Sequence, residues 1–245
     1  MFAYTRWVAE HQRSLFAGGE LAVHHDAPCI RIDLDRGAWV DLTRGWFGGA
    51  DDLLDALVAT VDWKQGRRRM FDRVVDDPRL SRWYRSDSPL PHPSLAVVRE
   101  ALAARYGVPF GAVGLNYYRD GRDSVAPHAD RELRHLDDTL VAVLTLGARR
   151  PFLVRPTSGG CSVDLAPASG DLLVMGGTCQ LGHLHAVPKV ARAGPRVSAT
   201  WRWARRNDPA PLSGYEPVDT RTPSKRSCSY SPSGTETSTK DRASS

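Results

Sequence analysis

The chain has 245 residues, 41% of them hydrophobic, enough to bury one sizeable core and of a length that suits one domain with tails. No apolar run approaches the roughly 20 residues that cross a bilayer, and the opening "MFAYTRWVAEHQRSLF" lacks the continuous apolar stretch of a signal peptide, so a cytoplasmic protein with no membrane contact is expected. A net charge of +5 admits an anionic partner such as nucleic acid without demanding one, while four widely spaced cysteines argue against a zinc finger or a disulfide framework and predict reduced thiols.

Residues 1–40 mix charge, Gly and His without a period and read as a loosely ordered arm. A folded domain over 41–206 is expected to follow. In "GADDLLDALVATVDW", Leu53, Leu54, Leu57, Val58 and Val61 fall on one face behind an acidic first turn, which predicts a helix. The segment "GRRRMFDRVVDDPRLSRWYRSD" interleaves arginines, Arg73 among them, with Trp83 and Tyr84, a composition that can hold phosphates and stack bases. No long hairpin or wedge is evident in it. "SLAVVREALAARYG" predicts a second helix, with Ser94 as its cap, Leu95, Val98, Leu102 and Tyr106 as its stripe and Gly107 at its end.

From Val113 the pattern changes to short apolar runs broken by Gly, Pro and Asp: "TLVAVLTLG", "PFLVRP", "CSVDL", "GDLLVMGG". A mainly β half therefore follows a helical one. In "NYYRDGRDSVAPHAD", Asn116 and Tyr118 share one strand face, and beyond the turn His128 and Asp130 share another. "GTCQLGHLHAVPK" offers His183 and His185 on one face if extended. The strand "PRVSATWRW" places Arg196, Ser198, Thr200 and Arg202 on one side and Val197, Ala199, Trp201 and Trp203 on the other. Such a strand is often merely amphipathic, but two arginines and two hydroxyls also suit a small dicarboxylate. Two histidines and a carboxylate with positions left open are the ligand set of non-haem Fe(II) oxygenases. Residues 207–245, rich in Ser, Thr and Pro, are expected to be a disordered tail.

Taken in order, Asn116-x-Tyr118, "DGRDS", His128-x-Asp130, "TLGARRPFLVRP", "GDLLVMGG", Gln180, "HAVPK" and Arg196-x-Ser198-x-Thr200-x-Arg202 resemble the AlkB family of Fe(II)- and 2-oxoglutarate-dependent dioxygenases. The resemblance implies a mainly β fold with flanking helices, a double-stranded β-helix or jelly-roll barrel. It implies His128, Asp130 and His185 as catalytic metal ligands for Fe(II), with 2-oxoglutarate and O2 as co-substrates. Arg196 would take the distal carboxylate, with Asn116, Tyr118, Ser198 and Arg202 around the rest, and Thr200, Gln180 and Lys189 in support.

The activity it implies is oxidative demethylation of 1-methyladenine and 3-methylcytosine in DNA, with RNA as a further target. Because no wedge or long hairpin is evident to hold a duplex open, single strands are the expected substrate, and a monomer is expected. The extruded base would meet Trp83, Tyr84, Arg73 and Glu132. Three departures matter: Ser198 and His183 stand where the family commonly has Asn and Trp, and "RWYRSDSPLPHPSL" is too short for the base-gripping hairpin of many repair members. Two other readings therefore stay open, an iron hydroxylase or demethylase of a protein or small molecule, and a nucleic-acid-binding module with a vestigial pocket.

Overall fold

In "TLVAVLTLG" all nine residues are buried, with no polar face turned to water. That pattern belongs to a central strand covered on both sides, and the computed structural model, which describes residues 19–70 and 72–205, places it there. Among the described residues twelve strands form two antiparallel sheets. The major sheet holds, in spatial order, β1 (Cys29–Asp33), β2 (Ala38–Thr43), β10 (Leu172–Gly177), β7 (Thr139–Gly147), β12 (Arg196–Ala204), β5 (Val113–Tyr118), β4 (Arg73–Tyr84) and β3 (Lys64–Met70). The minor sheet holds β6 (Val125–His128), β11 (His183–Val187), β8 (Leu153–Pro156) and β9 (Val163–Asp164).

β7 divides the core by its alternation. Leu140, Ala142, Leu144 and Leu146 face outward onto α1 (Ala50–Thr60) and α2 (Ser94–Tyr106), joining Leu53, Leu57, Leu95, Leu102 and Trp201 in one cluster. Val141 and Val143 face inward, where they join Leu173 and Met175 against Phe152, Val154 and Val187 of the other sheet side. Two sheets face to face, with helices over one outer surface, make the jelly-roll barrel that the motifs imply. Among the described residues no helix is long and apolar enough to cross a membrane.

Four details differ from the sequence expectations. The arm set at residues 1–40 is too long, because β1, a 3-10 turn at Asp35–Gly37 and the start of β2 lie within it and extend the major sheet through antiparallel pairing. Residues 1–18 and the tail from 206 lie outside the described residues. The first half is not simply helical: β3 and β4 form a long hairpin, closed between the paired Met70 and Arg73, with Lys64, Arg67, Arg69 and Arg73 exposed. Ser94 does not cap α2. Pro93 is the N-cap and already has helical angles, and the Ser94 N–H donates to His92 Nδ1 at 3.3 Å. Gly107 ends the helix as expected, with φ of 67° and its N–H donating to the Ala103 carbonyl. Finally, Cys161 is in a disulfide, which its spacing in the sequence could not reveal, while Cys29 and Cys179 are free.

Candidate metal centre and co-substrate pocket

Two of the candidate ligands are cross-strand neighbours. β11 pairs with β6 so that His185 stands opposite His128, and the two rings lie 4.2 Å apart between centroids. The chain leaves β6 and turns at Asp130, whose backbone carbonyl accepts the Leu133 and Arg134 N–H groups. Its own N–H donates to Gln180 Oε1 at 2.8 Å. Ligand atoms of His128, Asp130 and His185 all lie within 4.8 Å of one another, a grouping of mostly buried side chains. Phe152 stacks on His185 with 9° between the planes and 5.8 Å between centroids, which fixes the ring's orientation.

Electrostatics prepare these groups to donate lone pairs. The His128 Nδ1–H faces the Ala126 carbonyl at 2.9 Å, a bond that leaves Nε2 as the free lone pair, 3.8 Å from Asp130 Oδ1. Burial pushes the His185 imidazole down to about 3, with neighbouring His128 adding to the effect, and burial likewise lowers His128 against the pull of Asp130. Burial alone would raise the Asp130 carboxyl. The charge and hydrogen bond of Arg202 outweigh it, and the carboxyl is held well below the usual range. Two neutral imidazoles and one carboxylate result, a donor set that fits a divalent first-row ion with coordination positions left over.

A small pocket of about 40 Å³ lies beside this cluster. Its wall is built by register. Arg196 pairs with Tyr118 and Ser198 with Asn116 across β12 and β5, so the candidate co-substrate residues are two adjacent cross-strand pairs. Asn116, Tyr118, Ser198, Thr200 and Arg202 line the pocket, as do Arg79, Val141, Val143 and Phe152. Arg196 lies deeper, fully buried. Its guanidinium donates to Thr145 Oγ1 at 3.2 Å, the Pro167 carbonyl at 3.3 Å and Ser198 Oγ at 3.4 Å, and no carboxylate among the described residues pairs with it. Burial pushes it down to about 10. A cation held this way, by neutral oxygens at long distance, is prepared for an anion.

Arg202 is placed differently from the expected co-substrate contact. Its Nε donates to Asp130 Oδ2 at 2.7 Å and stands 3.6 Å from Glu132 Oε1, so it links β12 to the metal cluster while lining the pocket. The Trp83 ring lies 5.5 Å from the same guanidinium. It packs on Gly114, where a Cβ would come within 2.8 Å of the ring. Tyr84, one residue on, points to the opposite face and packs into the helix-side core, away from the pocket. Arg73 is exposed at the end of the hairpin, apart from the pocket lining. His183 is buried but stands outside the ligand cluster, its Nε2 2.9 Å from Asp35 Oδ1. Lys189 is exposed. Sequence reasoning overlooked Arg79, whose Nε donates to Asn116 Oδ1 at 3.0 Å. The "PRL" segment that carries it was the available signal.

This is the arrangement found in a known family. Residues 51–226 match the model of the 2OG-Fe(II) oxygenase superfamily. The chain belongs to that superfamily. Its members take Fe(II), 2-oxoglutarate and O2, and the His128, Asp130 and His185 donors together with buried Arg196 fit those groups. Among curated relatives, the human alpha-ketoglutarate-dependent dioxygenase alkB homolog 3 is 31% identical over 174 residues, covering 62% of this chain and 61% of that protein. The human DNA oxidative demethylase ALKBH2 is 30% identical over 177 residues, covering 62% and 68%. The chain thus matches about three fifths of the first relative's length. A prolyl hydroxylase from Trichoplax adhaerens, solved with a peptide fragment of hypoxia inducible factor, has the same fold, with a TM-score of 0.53 and 10% identity over 67% of this chain and 83% of that one.

Proposed function

We propose that the protein is an Fe(II)- and 2-oxoglutarate-dependent dioxygenase that demethylates N-alkylated bases, 1-methyladenine and 3-methylcytosine first, in single-stranded nucleic acid. The observation that carries the activity is the mostly buried two-histidine, one-carboxylate cluster set beside a buried arginine that has no carboxylate partner among the described residues. Likeness to the AlkB homologues supports the target. When bound, iron with its co-substrates supplies the oxidation of the methyl group, which then leaves as formaldehyde.

The chain's own residues position the reactants. Arg196, with Thr145 and Ser198, holds the far carboxylate of 2-oxoglutarate. Asn116, oriented by Arg79, and Tyr118 line its length. Apolar Val141, Val143 and Phe152 exclude water from the inner wall. Trp83, braced by Gly114 and beside Arg202 and Glu132, offers an aromatic face and an acid to a cationic methylated base. Exposed Arg69 and Arg73 on the hairpin supply phosphate contacts. The test is formaldehyde and succinate release with Fe(II), 2-oxoglutarate and a panel of methylated DNA and RNA oligonucleotides. Trp83→Ala should harm oligonucleotide turnover more than uncoupled succinate release. Uncoupled turnover with no demethylation of any oligonucleotide would overturn the target and favour a protein or small-molecule substrate.

A further inference from the structure

Residues 35–39 lie upstream of the region that matches the family, which begins at residue 51. Yet they interlock with the segment that leads into His185 and contacts Asp130 through Gln180. Asp35 Oδ1 stands 2.9 Å from His183 Nε2, and the carbonyl of Arg36 accepts a 2.7 Å bond from the Thr178 hydroxyl. Thr178 is the N-cap of the short α3 (Cys179–Gly182), where a threonine side chain ordinarily accepts a helix N–H. Here it makes no such bond, and its hydroxyl goes to the upstream turn instead.

Packing closes the same seam. The Trp39 ring occupies the space that a side chain at Gly176 would need, and Gly177, at φ +63°, lies against the Gly37 carbonyl. Arg36 holds a left-handed φ of 56°, which is strained for a residue with a side chain and persists only where the surroundings over-determine it. From α3 two routes reach the metal cluster. Gln180 accepts the Asp130 N–H, and the chain runs through His183 into β11, two residues ahead of His185.

We propose that the Asp35–Gly37 turn is a positioning element of the metal centre: the Asp35–His183 pair and the Thr178–Arg36 bond fix α3 and the start of β11, and thereby the spacing of Asp130 and His185. The turn touches none of the three ligands and acts through His183 and Gln180. The inference concerns metal binding and holds whatever the oxidised substrate is.

Co(II) titration of the full chain with saturating 2-oxoglutarate, followed by visible absorption, tests it alongside thermal melting of the metal-free protein. Asp35 is half exposed, so Asp35→Ala leaves no cavity. Asp35→Ala and Thr178→Val should each weaken Co(II) binding by about tenfold, the low end for groups that orient ligands, and alter the Co(II) band, with little change in melting. Asp35→Asn keeps an acceptor for His183 and should bind Co(II) nearly as the parent does. Unchanged affinity and spectrum in both Asp35→Ala and Thr178→Val would overturn the proposal. So would Asp35→Asn proving as damaging as Asp35→Ala, or a drop in melting large enough to account for the lost affinity.

Discussion

Replacing Arg196 by methionine should weaken 2-oxoglutarate binding while leaving the ligand-free protein as stable as before or more so. The guanidinium is fully buried, and its bonds of 3.2–3.4 Å go to two hydroxyls and a carbonyl, none of them charged. Burial lowers it from 12.5 to about 10, which at about 1.4 kcal/mol per pKa unit means that carrying the charge inside the folded protein costs about 3 kcal/mol. The folded value lies below the unfolded one, so this cost is present throughout the neutral range. Methionine removes it and keeps most of the volume. The hydroxyls of Thr145 and Ser198 can turn to one another or to water, so only about 1–2 kcal/mol of hydrogen bonding is lost in return. In the liganded state the balance reverses: a carboxylate seated against Arg196 loses its charge-assisted partner at a cost of about 2–4 kcal/mol, or about 30- to 1,000-fold in affinity. Urea unfolding of the metal-free protein and calorimetric titration of 2-oxoglutarate into the Co(II) form measure the two quantities. A variant that loses more than about 2 kcal/mol of stability yet binds 2-oxoglutarate normally would refute the reasoning and make Arg196 a structural residue.

His128→Ala, Asp130→Ala and His185→Ala should each reduce Co(II) affinity by more than about 100-fold, because two donors hold the ion poorly; His183→Ala should fall well short of that, and the reverse ranking of the two histidines would show that the ligand assignment is wrong. The metal-free protein should lose stability on acidification. An unfolded His185 takes up its proton near 6.5 whereas the folded one does so near about 3, so the unfolded state binds more protons in that window and stability rises with pH across it. From pH 7 to 5 the loss from His185 alone is about 2 kcal/mol. Urea midpoints that stay level or rise as the pH falls would contradict the depressed histidine.

Much of the site was legible because strands repeat every two residues. Arg196, Ser198, Thr200 and Arg202 had to share a face, and register alone then set Arg196 beside Tyr118 and Ser198 beside Asn116. The helices were legible for the analogous reason at their own period. What could not be read was whatever depends on a distant partner. β3, "KQGRRRM", has no apolar alternation and is a strand only because β4 pairs with it at the sheet edge. Trp83 and Tyr84 look alike in sequence, yet alternation sends one to Arg202 and the other into the helix-side core. The turn at 35–37 is ordered by Thr178 and His183, more than 140 residues away.

The two sheets contribute unequally to the metal cluster, and that inequality is measurable. His128 and His185 belong to the minor sheet, whereas Asp130 is gripped by Arg202 of the major one. β6 is a four-residue edge strand whose pairing with β11 shifts register between His185 and Val187, so few hydrogen bonds resist its opening. β7 is buried along all nine residues and paired on both sides. Without metal, amides of β6 and the facing part of β11 should therefore exchange hydrogen through local opening, far faster than those of β7. Any opening of β6 displaces His128 and destroys the site, so bound metal must oppose it by RT ln(1 + [L]/Kd), about 2.7 kcal/mol at a hundred times Kd. Exchange in β6 and β11 should then slow by about 100-fold. The β3–β4 hairpin carries no ligand, and its own fraying should proceed at an unchanged rate. Exchange measured by mass spectrometry with and without Co(II) distinguishes these segments. Equal protection of β6 and β7 before metal is added, or slowing of the hairpin by the same factor as β6, would mean that the site opens only when the whole barrel unfolds.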